Sequence, residues 1–216
     1  MASTTFSSFS LFSSLLTISS FVALFLVHTT MAADPDILTD FVVPANVTGG
    51  VDGGFFTFTG LRSLVGADPP TAFKVSKVSM AEFPAVIGQS VSLAVLTYPA
   101  GAANPPHTHP RSAELLFVLD GSLEVGFVDT ANKLYTQSLQ AGDVFVFPKG
   151  LVHYQYNADS ESIALAISAF GSASAGTVSL PNTLFVSGID DNVLAVSFKT
   201  DVATIQKLKA GLAPKP

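Results

Sequence analysis

Three of the four histidines of this chain, His107, His109 and His153, fall in two short glycine-punctuated stretches, and the first stretch also holds Glu114. The fourth, His28, lies in an apolar N-terminal segment. His107 and His109 are two residues apart, so on an extended strand both side chains point to the same face. Pro105 and Pro106 fix φ just before them and hold the approach extended. Glu114 follows after enough chain to turn and carry a carboxylate onto the next strand. His153 arrives on a separate strand, after a turn at Pro148–Gly150. Three imidazoles and one carboxylate form a nitrogen–oxygen donor set suited to manganese, iron, nickel or copper, with zinc also open. Around an octahedral ion, four protein ligands leave two positions for water or substrate, whereas a closed tetrahedral zinc site leaves none. Taken singly, a histidine on a strand is a hydrogen-bonded structural residue, and Gly121, Gly142 and Gly150 would mark turns in any β-protein. It is the combination that points to a metal ion.

The residues around this set have two readings each. Asn104 could donate its side-chain amide to an oxygen ligand, or serve only as a turn residue before two prolines. Arg111 could draw an anion toward the mouth of the site, or act as a surface or interface salt-bridge partner. Gln155 and Asn157 share the strand face of His153 and are placed to contact the ligands from behind, while Tyr154 and Tyr156 belong to the opposite face. With the three histidines committed and no cysteine in the chain, no Ser-His-Asp or Cys-His arrangement is left for a nucleophilic hydrolase.

The elements that must position these residues read as mostly β, followed by a helical end. Ser90–Tyr98 alternates, with Val91, Leu93 and Val95 on one side. Leu115–Leu119 is short and apolar, and Ser122–Val128 alternates again before a hairpin turn at Asp129–Asn132. Val144–Phe147 and Ser162–Phe170 are apolar runs, and His153–Asn157 lies between them. Short strands with regular turn signals predict a sandwich or barrel. After Pro181 the period changes: Asp190–Phe198 reads as a short helix. A second helix, Val202–Lys209, is capped by Thr200 or Asp201 and stopped at Gly211. The fold class is therefore all-β with short C-terminal helices.

Residues 1–32 read as a signal peptide: Leu11–Val27 is apolar with serines, the first charged residue is Asp34, and small residues offer cleavage near Ala32 or Ala33. Residues 33–216 then form one domain, with no internal repeat or linker and no second segment long enough to span a membrane. A net charge of −6 with no basic run excludes nucleic acid as a partner. Zero cysteines leave a secreted chain without covalent staples. Asn46 heads the single N-glycosylation sequon, Asn46-Val47-Thr48. Charged residues are only 12% of the chain, and strands that look apolar on both faces are expected where subunits bury them.

The two histidine stretches resemble the two signature boxes of the cupin superfamily, in the form found in germins and germin-like proteins of plants. The spacing matches both boxes without insertion, and the resemblance runs from Ala33 to the C-terminal helical segment. It implies a jelly-roll β-barrel, with His107, His109, Glu114 and His153 holding one manganese ion per chain. It further implies a homo-hexamer built as a trimer of dimers, an apoplastic or extracellular-matrix location with cell-wall components as partners, and a role in stress or defence. The activities implied are superoxide dismutation and oxalate oxidation. Two departures matter. The two N-terminal cysteines usual in the family are absent, and Val42 stands where the first is expected, so the N-terminal arm must be held by packing. Germins that oxidise oxalate carry two asparagines near the metal. One matches Asn104, but the other falls near position 94, where this chain has Ala94; this favours dismutation over oxalate oxidation. The alternative is a non-enzymatic, metal-stabilised cell-wall scaffold or a ligand-binding or receptor protein.

Overall fold

The computed structural model describes residues 34–48 and 50–213; the expected signal peptide, residues 1–32, lies outside the described residues. Ten strands follow one another: β1 (Lys74–Val78), β2 (Ser92–Tyr98), β3 (Ala103–Thr108), β4 (Glu114–Asp120), β5 (Ser122–Val128), β6 (Leu134–Gln140), β7 (Val144–Phe147), β8 (Val152–Tyr156), β9 (Ala164–Phe170) and β10 (Val178–Ser179). Three helices close the chain: α1 (Leu180–Phe185), α2 (Asp191–Phe198) and α3 (Val202–Leu212). The strands form two five-stranded sheets, in the orders β1-β2-β9-β4-β7 and β10-β3-β8-β5-β6, and every pairing between them is antiparallel. This is the cupin jelly roll that the resemblance implies.

The two sheets close over a shared apolar core. Leu96 and Tyr98 on β2, Leu116 and Val118 on β4, Leu123 and Val125 on β5, and Phe147 on β7 are all buried in it. Strand alternation decides which residues enter. On β4 the buried residues are Glu114, Leu116 and Val118, while Leu115, Phe117 and Leu119 face outward. On β2 the inward row is Ala94, Leu96 and Tyr98, and Val91 is exposed. The residues that look most apolar in sequence, Val91, Leu93 and Val95, therefore form the outer row. The strand starts at Ser92 rather than Ser90, because Ser90 takes a left-handed φ of 53°. The β5–β6 turn forms as expected: Asp129 Oδ1 accepts from the amides of Ala131 and Lys133, and Asn132 takes the left-handed conformation. Between β4 and β5, Gly121 has φ 73°, and a Cβ there would meet Ile163 O at 2.5 Å, so only glycine makes this turn.

The helical end follows its sequence reading in its caps and differs at its stop. Asp190 caps α2 through the amides of Asn192 and Val193, and Asp201, not Thr200, caps α3 through that of Thr204. Gly211 does not stop α3, which continues to Leu212; Ala213 then turns extended, as expected of a residue preceding a proline. α1, the edge strands β1 and β10, β3 and the polar β6 carry no periodic apolar signal.

The N-terminal arm is held by more than packing. The Asp34 carboxylate accepts from Ser172 Oγ and from the amide of Ala173, both at 2.6 Å. Gln89 Nε2 donates to Asp40 O at 3.1 Å, and Ile37 packs on Gly88 so closely that a Cβ there would clash with it at 2.4 Å. Asp34 thus fixes the arm to the loop after β9. Losing one of two charge-assisted hydrogen bonds costs about 1–2 kcal/mol. Asp34→Asn is expected to lower the thermal midpoint by roughly 2–6 °C in a domain of this size. An unchanged melting curve would show that the contact does not anchor the arm.

Candidate metal centre

His107 lies on β3, Glu114 opens β4 and His153 lies on β8, while His109 follows β3 by one residue. All four are buried, none more than 6% exposed. They meet because β3 pairs with β8, placing His107 directly across from His153. The register slips between Asn104 and His107, where β3 has one residue more than its partner. Pro105 and Pro106 occupy that slip; neither has an N–H to give to the ladder, so a bulge accommodates them without leaving a donor unpaired.

The hydrogen bonds of the imidazoles define what the site can hold. Each Nδ1 faces a backbone carbonyl: Pro105 O for His107 and Leu151 O for His153, both at 2.8 Å, and Gly176 O for His109 at 2.5 Å. A carbonyl only accepts, so each Nδ1 carries the proton, and each neutral ring presents a bare lone pair on Nε2. Those lone pairs point at one another and at a carboxylate. His109 Nε2 lies 2.9 Å and His153 Nε2 3.1 Å from Glu114 Oε2. In the neutral rings these are contacts between acceptors, which only a positive charge between them can stabilise. The four ligand atoms all lie within 4.8 Å of one another. Donor atoms about 2.1 Å from a common ion are about 3.0–3.4 Å apart in octahedral or tetrahedral arrangement, so the spacing fits a bound cation.

The remaining donors keep Glu114 ionised. Its Oε1 accepts from Ser168 Oγ at 2.6 Å and from Gln155 Nε2 at 3.0 Å. Burial works to raise the Glu114 pKa, but positive charge at this point, as a proton on the Nε2 of His109 or His153 or as a cation between the donors, outweighs it and holds the carboxyl well below the usual range. Burial, with the adjacent His153, pushes His107 down to about 4, so this ring is neutral and free to coordinate. Phe147 stacks on His153 at 4.5 Å and Phe170 meets His109 edge-on at 4.8 Å, which fixes both rings.

The other residues singled out in sequence divide. Asn104 joins the group: its Nδ2 donates to Gln155 Oε1 at 2.8 Å and lies 3.4 Å from His107 Nε2. Gln155 supports Glu114, as its strand face predicts. Asn157 does not reach the site; its amide donates to the carbonyls of Tyr98, Pro99 and Ser162. Arg111 is turned to a different task. Its guanidinium bonds Ser174 O and Ser174 Oγ, and Gly176, with φ 72°, has no room for a Cβ beneath it. Arg111 therefore fastens the loop whose Gly176 carbonyl orients His109. Ser168 was not singled out, although a lone serine inside the apolar run Ala164–Phe170 is the signal that could have found it. Asn46 is exposed in a turn.

A cavity of about 230 Å³ reaches this cluster, with Asn104, His107, His109 and Glu114 in its wall. A cupin family model matches residues 67–206. A rice (Oryza sativa subsp. japonica) protein named germin-like protein 9-3 is 63% identical over 190 residues, spanning 85% of this chain and 88% of that one. The chain belongs to the germin-like cupins. Germin-like protein subfamily 2 member 4 of Arabidopsis thaliana is 39% identical over 199 residues, spanning 86% of this chain and 90% of its own. Among solved structures, this germin-like chain is similar to a recombinant oxalate oxidase in complex with glycolate. The TM-score is 0.73 at 30% identity, over 84% of this chain and 98% of that one.

The depressed His107 pKa fixes a pH dependence for the metal-free protein. Between the ordinary 6.5 and about 4, the unfolded chain binds a proton that the folded chain refuses. Its stability is full above the upper value and falls toward the lower one, by up to ~3 kcal/mol. Thermal melts in chelator should show the midpoint dropping on acidification through this window, with a shallower drop for His107→Gln. Equal slopes in the two proteins would contradict the assignment.

Proposed function

We propose that this germin-like protein binds one manganese ion per chain through His107, His109, Glu114 and His153 and acts as a secreted redox protein on a small anion, with superoxide ahead of oxalate. The observation that carries the reading is the convergence of three imidazoles and a carboxylate in a buried site that a cavity reaches, with two Nε2 atoms at about 3 Å from the carboxylate oxygen and all four ligand atoms within 4.8 Å of one another. A redox-active ion there supplies one-electron exchange and an electrophilic centre. Overall, two superoxide ions and two protons become dioxygen and hydrogen peroxide. The protein's part is to hold the donor set rigid and dry. The three backbone carbonyls lock the imidazole tautomers, Ser168 and Gln155 lock the carboxylate, and Asn104 offers an amide at the cavity wall.

Ala94 lies on the inward row of β2 beside Ser168, so the position that carries an asparagine in oxalate-oxidising germins holds only a methyl group here. That supports dismutation over oxalate oxidation. The cavity favours catalysis over the scaffold reading, in which a closed structural ion would need no access. The remaining parts of the reading follow the family. Cleavage near Ala32 sends the protein to the apoplast, and Asn46 carries a glycan. Among the described residues no helix is long and apolar enough to cross a membrane. The outward row Leu115, Phe117 and Leu119 with Val144 and Val146 is an exposed apolar band on neighbouring strands, which supports burial between subunits of a hexamer.

Metal analysis of the purified mature protein, together with dismutation and oxalate oxidation assays, tests this. About one manganese per chain is expected, with dismutation that disappears in His107→Ala/His109→Ala. Glu114→Gln should keep the fold and lower metal affinity by roughly ten-fold or more. Absence of bound metal in the wild type, or full occupancy in Glu114→Gln, would overturn the ligand assignment.

A further inference from the structure

The two sheets end in β1 and β7 on one side and in β10 and β6 on the other, and β6 differs from the rest. β1 carries Lys74 and Lys77, β7 is only four residues long, and β10 is two residues that run straight into α1. Charge and shortness of this kind blunt an edge, because a long neutral edge is a template for another strand. β6 has no such protection. It is seven residues long, Leu134-Tyr-Thr-Gln-Ser-Leu-Gln140, with no charged residue, proline or glycine, and every residue except Leu139 is exposed.

The ladder fixes what that edge offers. β5 pairs with β6 from Ser122↔Gln140 to Val128↔Leu134 without a bulge. At one end the Asp129 amide donates to Lys133 O, and at the other the Ala141 amide donates to Gly121 O. The odd-numbered residues therefore spend their N–H and C=O on β5, and the even-numbered ones turn theirs away from it. Gln140 is closed off by Asp143, whose carboxylate accepts from the Gln140 amide and whose amide donates to the Gln140 carbonyl. The N–H and C=O of Thr136 and Ser138 have no partner among the described residues.

The side chains of β6 run nearly alike in both directions about Gln137: Tyr135 matches Leu139, and Thr136 matches Ser138. We propose that β6 is a self-recognition edge, which pairs antiparallel with β6 of a second copy about a two-fold axis at Gln137 and joins two five-stranded sheets into one. In that register Thr136 of each copy exchanges N–H···O=C bonds with Ser138 of the other, hydroxyl beside hydroxyl, and Tyr135 lies against Leu139. No like charges meet along the strand, although each chain carries a net −6. Lys133 forms no ion pair among the described residues, and it comes opposite Ala141 of the other copy, two residues from its Asp143. The edge belongs to a different sheet from the apolar band of β4 and β7, so it links assemblies rather than building the one that band supports. A contact this small makes a weak, concentration-dependent association.

The test is sedimentation velocity of the purified mature protein from about 1 to about 300 µM. The wild type is expected to pass from a base species to at least twice its mass as concentration rises. Thr136→Pro removes an outward N–H and leaves the β5 ladder whole. It should weaken the association about ten-fold or more, with the base species unchanged. Thr136→Lys/Ser138→Lys and Thr136→Glu/Ser138→Glu keep every backbone group and carry the test if the proline variant does not fold. Each sets like charges across the two-fold, so neither should associate alone, whereas an equimolar mixture should. A wild type whose mass is independent of concentration overturns the inference. Undiminished association in the double-lysine variant, or a mixture that stays at the base species, assigns any association to another surface and overturns it equally.

Discussion

The structure depends on one electrostatic arrangement: several hydrogen-bond acceptors aimed at one point inside a protein. Left alone, converging lone pairs on His107, His109, His153 and Glu114 repel one another, and burial removes the water that would otherwise separate them. The fold supplies the counterweight in the next layer out. Three backbone carbonyls take the Nδ1 protons, so no ring can relieve the crowding by turning an N–H inward while it stays neutral. Two side chains, Ser168 and Gln155, donate to the carboxylate oxygen that faces away from the rings. A site built this way is poised for a cation and poorly suited to anything else.

Much of the sheet architecture can be understood as a means of keeping that point fixed. Pairing of β3 with β8 brings His107 against His153, and the proline bulge one step earlier sets the register. Pairing of β4 with both β7 and β9 places Glu114 between Phe147 and Phe170, the two rings that clamp His153 and His109. His109 lies beyond the end of its strand and needs a separate support. The loop after β9 provides it, held by Arg111 on one side and by Asp34 on the other.

The four donors were legible in the sequence because their spacing is a property of strands: a single residue between His107 and His109 puts them on one face, and turn glycines bracket the segments. Gln155 was legible for the same reason. Asn157 shared that face but was drawn away by three backbone carbonyls at the end of β2 and before β9, which no periodicity could announce. Arg111 looked like an anion guide because only its distance from His109 is visible in sequence, whereas its partners lie some sixty residues later. The facing of β2 has a similar origin. Its outward valines and leucine are more apolar than its inward alanine, and sequence alone could not say that the interior at that height is a cavity rather than packed core.

The missing disulfide shows how the same end is reached by a different mechanism. A crosslink acts largely on the unfolded chain, by restricting its conformations, and does so at any pH while the bond stays oxidised. The Asp34 clamp acts only on the folded chain, through a carboxylate with two donors in place. It asks nothing of the redox state of its surroundings. It also joins the arm to the loop that carries Gly176, so the arm and the orientation of His109 share one support. In a disulfide-stapled relative, loosening the arm means breaking a covalent bond. Here, the arm and the loop are joined through hydrogen bonds of ordinary strength, from Ser172 and Ala173 to Asp34.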